Sequence, residues 1–196
     1  MPERQAEITR ETKETQITLR LALDGEGAAE CNTGVGFLDH MLDLLARHGC
    51  LNLAVQAKGD THVDAHHTVE DVGICLGQAL KQALGDRKGI ERFGDAAAPM
   101  DDSLAHLALD LGGRGAFVFN VTFPSEKAGA FDTELVEEFL RALSLNAGMH
   151  LHVNVPYGRN SHHIAEAIFK GLAKALDRAT RRDPRVKGVP STKGTL

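Results

Sequence analysis

Two short stretches share a pattern that can do chemistry: "DAHHTVED", residues 64–71, and "NSHHIAEA", residues 160–167, each contain His-His-x-x-Glu. On a helix, residues four apart share a face, whereas neighbours diverge by about 100°. His66 and Glu70 can therefore grip one ion while His67 turns towards another. His162, Glu166 and His163 repeat that division. Each motif thus offers two ligands to one metal and one to a second, and two motifs related by pseudo-symmetry build a pair of sites with exchanged ligands. Imidazole and carboxylate donors without thiolate suit manganese, ferrous iron or zinc. Asp64 and Asp71 are expected to orient ring nitrogens from behind.

The elements that must position these residues follow from periodicity. "TQITLRLAL" alternates apolar and polar residues as a strand does, and "FLDHMLDLLARHG" carries apolar residues at helical spacing with Gly49 as a stop. "CLNLAVQAKG" reads as a strand and "HHTVEDVGICLGQALKQALGD" as a long helix closed by Gly85. The intervening "LDGEGAAECNTGVG" reads as a turn-rich connection. After a Gly/Pro-containing connector, "SLAHLALDLGGRGAFVFNVTF" reads as two strands joined at Gly112 and Gly113, and the order of the first part then recurs. "DTELVEEFLRALSLNAG" is a helix, "MHLHVNV" a strand and "NSHHIAEAIFKGLAKALDRATRR" a second long helix.

This is an internal repeat. Placing His66 on His162 superimposes His67 on His163, Glu70 on Glu166, Leu76 on Leu172, Ala79 on Ala175 and Leu80 on Leu176. His40 lies 26 residues before His66, and Glu138 lies 24 before His162, so these two become further candidate ligands. Read without the repeat, His40 is a polar residue on an amphipathic helix and Glu138 part of an exposed acidic face. The expected fold is α/β (α+β), one domain of two pseudo-symmetric halves at approximately 10–95 and 96–185. Each half is a sheet covered by helices on one side, and a tail follows at 186–196.

Bulk properties narrow the function classes. The 196 residues carry a formal charge of −5, which disfavours a dedicated nucleic-acid binder. No apolar run approaches the roughly 18 residues of a membrane span. The N-terminus, "MPERQAEITRETKETQ", lacks an apolar core, so no secretion signal and a cytoplasmic location are expected. Cys31, Cys50 and Cys75 are odd in number without C-x-x-C spacing, which points to reduced, packed thiols. Of the ten histidines, His150 and His152 alternate along a strand, and His62 and His106 have no inferable partner.

"FLDHML", "DAHHTVED", "NSHHIAEA" and "PSTKG", in that order, resemble the imidazoleglycerol-phosphate dehydratase family, lyases of histidine biosynthesis. The resemblance, to the monofunctional form, runs from "TKETQI" to "STKG". It implies a homo-oligomer, probably a 24-mer, with active sites between subunits and two Mn2+ ions per site. Carried over by position, one metal takes His40, His67, His162 and Glu166, and the other His66, Glu70, Glu138 and His163. The implied reaction is loss of water from D-erythro-imidazoleglycerol phosphate to give imidazoleacetol phosphate, a phosphorylated imidazole being the small-molecule partner. The proton to be removed has no adjacent carbonyl, so two cations at the ring nitrogens would favour an imidazolate able to expel the hydroxyl. Glu14 would act as acid or base at the carbon chain, Glu70 and Glu166 would move ring protons, and His48 would contact substrate. Arg92, Arg114, Lys170, Ser191 and Lys193 would bind phosphate. Glu138 stands where some members have His, and Leu44 where many carry Gln.

Two other classes use similar ligands. A binuclear metallohydrolase predicts ester or amide hydrolysis with no need for an imidazole ring. A metal-storage oligomer predicts no turnover and no use for the cationic residues Arg92, Arg114 and Lys193.

Overall fold

The computed structural model describes residues 4–194, so the first three residues and the last two of the expected tail lie outside the described residues. The first half runs β1 (Gln5–Glu11), β2 (Thr15–Ala22), β3 (Ala29–Asn32), α1 (Gly36–Gly49), β4 (Asn52–Gly59) and α2 (His66–Leu84). The second runs β5 (Phe93–Met100), β6 (Ser103–Asp110), β7 (Ala116–Asn120), a two-residue pair β8 (Lys127–Ala128) and β9 (Phe131–Asp132), then α3 (Glu134–Ala147), β10 (His150–Tyr157) and α4 (Ser161–Thr180).

The duplication is topological as well as sequential. The sheets are ordered β1-β2-β4-β3 and β5-β6-β10-β7. In each, the last pair is parallel and the others antiparallel. A parallel pair needs a crossover connection, and α1 and α3 supply it. Matching elements have matching lengths: β2 and β6 eight residues, β4 and β10 eight, α1 and α3 fourteen. His40 and Glu138 are both the fifth residue of their helices (40 − 36 = 138 − 134 = 4), so the alignment drawn from sequence spacing holds in three dimensions.

Each sheet is buried on one face only, as the alternation in β2 and β6 requires. The helices cover those inner faces and meet one another across the halves. α2 packs on β1 and β2 and against α3, while α4 packs on β5 and β6 and against α1. Phe139 and Phe169, both fully buried, meet inside this helix layer at 5.4 Å between ring centroids. No helix among the described residues is long and apolar enough to cross a membrane.

Several expectations need correction. β1 was hidden in the charged N-terminus because an edge strand with one buried residue, Ala6, keeps Glu7, Arg10 and Glu11 solvated. β3, expected as loop, is a short exposed strand on β4. The segment expected as a connector contains β5, so the boundary placed at 95/96 falls inside a strand, and the halves meet between Leu84 and Phe93. β5 is rich in small residues because α4 crosses it closely: a β-carbon at Gly94 would lie 1.9 Å from the Ala175 carbonyl oxygen. The stop at Gly49 sits one residue later, where Cys50 takes the left-handed conformation at φ 53°.

The α2–α3 crossing depends on two glycines. A β-carbon at Gly73 would lie 2.7 Å from the Phe139 carbonyl oxygen, and one at Gly77 would lie 2.6 Å from that of Leu143. Replacing a helical glycine by alanine ordinarily gains roughly 0.5–1 kcal/mol. Backbone overlap of this kind costs about 1–3 kcal/mol and should prevail. Gly73→Ala and Gly77→Ala are therefore each expected to lower the urea midpoint, and a raised midpoint in either would refute the close crossing.

Candidate functional site

The N-terminal turns of α2 and α4 carry the His-His-x-x-Glu motifs, and each turn is held by a polar side chain before it. Asn160 Oδ1 accepts from the backbone N–H groups of His162 and His163, and Asp64 Oδ1 accepts from that of His66 at 2.8 Å. α1 crosses α4 so that three expected ligands converge. His40 Nε2 lies 2.8 Å and His162 Nε2 3.1 Å from Glu166 Oε1. One ligand atom from each of these residues falls within 4.8 Å of the others. This is a donor set of two imidazoles and one carboxylate without sulfur, which fits a divalent first-row ion. Glu166 is 7% exposed, and burial opposes its ionisation. Hydrogen bonds from Lys170, His40 and His162 outweigh that and lower the carboxyl to about 2, so the group presents a carboxylate at neutral pH.

The matching set in the other half is more open. His66 Nε2 stands 3.9 Å from Glu70 Oε2. The backbone of Phe139, next to Glu138, passes Gly73, one turn beyond Glu70. Glu138 makes a 3.9 Å ion pair with Arg141 and does not join His66 and Glu70 in a three-residue cluster among the described residues.

His67 and His163 turn away from the ligands beside them, as the helix angle requires. Their rings are held from behind, though not by the residues expected. His67 Nδ1 lies 3.0 Å from Asp60, and His163 Nδ1 lies 2.6 Å from Asp102. Asp64, just before α2, instead accepts from the His66 N–H, and Asp71 accepts from Arg10 Nε at 2.8 Å and Thr15 Oγ1 at 2.5 Å. The sequence offered no local signal for Asp60 and Asp102, which come from the loop after β4 and the β5–β6 turn. The Asp60 and Asp102 hydrogen bonds raise the His67 and His163 imidazoles above their ordinary range, and His163 Nε2 lies 3.5 Å from Asp101 Oδ2. Glu14 Oε1 stands 3.9 Å from His67 Nε2.

A second constellation lies at the other end of α4. Arg92, Gly112, Gly113, Arg114, Ser191 and Lys193 line a cleft of about 870 Å³. Arg92 is fixed by a two-pronged bond to Asp110, at 2.6 and 2.9 Å, and by donation to the Pro190 carbonyl at 2.7 Å, which anchors the tail. Asp110 holds the Arg92 guanidinium above its usual range. The cleft thus gathers Arg92, Arg114 and Lys193, a cationic lining suited to an anion such as phosphate. Lys170 is absent from it: its Nζ bonds Glu166 Oε2 at 2.6 Å. His48 sits in the last turn of α1, and burial, then Lys170 and Lys174, push its imidazole below the ordinary range. Leu44 is half-buried against the core. Cys31, Cys50 and Cys75 are free thiols, with burial pushing Cys31 up to about 12 and Cys75 to about 11.

The two constellations are far apart within one chain. The Arg92 N–H donates to the Ala179 carbonyl. The 13 helical steps from Glu166 to Ala179 (179 − 166) span about 20 Å. The three-residue cluster and the cationic cleft thus lie towards opposite ends of α4.

The profile of imidazoleglycerol-phosphate dehydratases matches residues 33–176. The chain belongs to the imidazoleglycerol-phosphate dehydratase family. Family members from Geobacillus kaustophilus (strain HTA426) and Geobacter metallireducens (strain ATCC 53774 / DSM 7210 / GS-15), imidazoleglycerol-phosphate dehydratases by name, are 63% and 58% identical to it over 193 residues, covering 98% of this chain and 99% of each relative. The crystal structure of the imidazoleglycerol-phosphate dehydratase from Staphylococcus aureus subsp. aureus N315 superimposes with a TM-score of 0.84 at 40% identity, covering 91% of this chain and 99% of that one. The Pyrococcus furiosus structure, in complex with (S)-C348, gives 0.80 at 34% identity over 96% and 100%. As a member of the imidazoleglycerol-phosphate dehydratase family, the chain is an enzyme, a hydro-lyase.

The Asp102 contact generates a test on metal-free protein. In Asp102→Asn, the His163 midpoint followed by NMR is expected to fall towards the ordinary imidazole value, because the bond that favours the protonated ring is weakened. An unmoved midpoint would mean that Asp102 does not hold this ring.

Proposed function

We propose that the chain dehydrates D-erythro-imidazoleglycerol phosphate to imidazoleacetol phosphate within histidine biosynthesis, as a cytoplasmic homo-oligomer, with 24 subunits the expected assembly. The observation that carries this reading is the convergence of His40, His162 and Glu166 at one end of α4, with a cationic cleft at the other.

The donor set fits a divalent cation, and manganese is the ion proposed. One ion would be held by His40, His162 and Glu166 together with His67, and a second by His66, Glu70 and Glu138 together with His163. Since His67 lies outside the three-residue cluster, a neighbouring subunit is its natural source. Bound there, the two cations supply positive charge that favours the imidazolate form of the substrate ring.

The chain's own groups do the rest. Arg92, Arg114, Ser191 and Lys193, from a further subunit, grip the phosphate and fix the carbon chain in one direction. Lys170, beside Glu166, adds positive charge where the anionic substrate enters. Glu14, as acid, gives the departing hydroxyl the proton with which it leaves as water and then, as carboxylate, takes a proton from the adjacent carbon, leaving an enol that tautomerises to the ketone of imidazoleacetol phosphate. Glu70 and Glu166 would exchange ring protons when not committed to metal. His48, neutral at physiological pH because its imidazole is pushed down, donates or accepts a hydrogen bond without adding charge.

Metal-stripped protein is expected to be inactive on imidazoleglycerol phosphate and to regain turnover with manganese. His67→Ala and His163→Ala should each fold and lose more than the roughly 10–100-fold typical of removing a group behind a ligand. Full turnover in the stripped protein or in either variant would break the two-metal arrangement.

A further inference from the structure

The halves treat one hairpin turn differently. Thr15 and Ser103 are the first residues of β2 and β6, at matching places after the β1–β2 and β5–β6 turns. The alignment that lays His66 on His162 lays Asp71 on Ala167 (71 + 96 = 167). In the first half, the buried Thr15 hydroxyl donates to Asp71 Oδ2 at 2.5 Å, and Arg10 Nε donates to Oδ1 at 2.8 Å. In the second, the Ser103 hydroxyl is equally buried and has no partner among the described residues, because alanine offers none. A buried carboxylate is costly unless charge and hydrogen bonds compensate it. One half carries that cost at this position and the other does not.

What the carboxylate holds is the turn bearing Glu14. Thr12 Oγ1 accepts from the backbone N–H groups of Glu14 and Thr15, at 3.1 and 2.9 Å, and lies 3.2 Å from Thr15 Oγ1. The Glu14 carbonyl accepts from the Asp60 N–H at 3.1 Å, and the Asp60 side chain holds His67. Asp71 follows Glu70 in sequence, but its side chain is 9% exposed against 45% for Glu70, so it faces the sheet rather than the metal ligands.

We propose that Asp71 is a positioning residue: through Thr15 and Arg10 it locks the 12–15 turn and so sets the Glu14 carboxylate beside His67. Its catalytic consequence rests on the reading of Glu14 as the group that moves the carbon-bound proton. A locked turn matters because displacement of a reacting group by about 1 Å can cost as much as 100-fold in rate.

The experiment is a double-mutant cycle on the manganese-loaded enzyme. Asp71→Asn and Thr15→Val are made singly and each in the Glu14→Gln background, with kcat, KM and bound manganese measured. Singly, each is expected to lower kcat by about tenfold to 100-fold, with KM and manganese content unchanged. In the Glu14→Gln background neither should lower it further. An equal loss in that background, a loss of bound manganese or an undiminished kcat would overturn the proposal. Thr15→Val removes a single hydroxyl and keeps the cycle usable if Asp71→Asn does not fold. Should the wild-type protein not dehydrate imidazoleglycerol phosphate, the functional reading fails separately. The lock is then judged by amide hydrogen exchange at Glu14 and Thr15, expected to quicken in Thr15→Val, with unchanged exchange overturning it.

Discussion

The close crossing of helices from opposite halves is the constraint on which the rest of the structure depends. α2 meets α3 with backbone against glycine, and α4 meets α1 across the same layer. Among the described residues, neither half presents a three-residue cluster of metal-binding type by itself. His40 comes from the first half, whereas His162 and Glu166 come from the second. A widening of the helix layer would therefore separate the ligands before it exposed much of the core. The sheets bury their apolar faces beneath this layer and hold the helix ends at fixed places, which is the part of the architecture that duplication supplies.

Duplication also explains why the site is asymmetric in detail. His66 and Glu70 repeat His162 and Glu166, but Glu138 repeats His40 with a different donor. His67 is backed by Asp60 from the loop after β4, and His163 by Asp102 from a hairpin turn. The Thr15–Asp71 bond has no counterpart at Ser103 and Ala167. Equivalent backbones thus carry unlike groups around His-His-x-x-Glu motifs of the same pattern.

Much of this was legible in the sequence because helices report their buried face through spacing. The four helices, the central strands and the pairing of His40 with Glu138 follow from periodicity and a count of residues. β1, β3 and β5 were not legible: the first two are solvated edge strands, and the third uses small residues to admit α4. The carboxylates behind His67 and His163 were missed for another reason. Asp102 lies 61 residues from the ring it holds, and nothing in the sequence brings the two together. The family resemblance, not spacing, grouped Lys170 with Arg92, and within one chain the Lys170 ammonium bonds Glu166.

The central claim is that the ligand cluster and the cationic cleft of one chain serve different active sites, since about 20 Å of helix separates them. Subunit mixing tests it most directly. Glu166→Gln chains lack a proposed metal ligand and Arg92→Ala chains a proposed phosphate contact, so each homogeneous assembly should be nearly inactive. Dissociated and reassembled together, they should recover dehydration, because some sites then combine an intact Glu166 from one chain with an intact Arg92 from another. Mixed assemblies that form and stay as inactive as their parents would contradict the account.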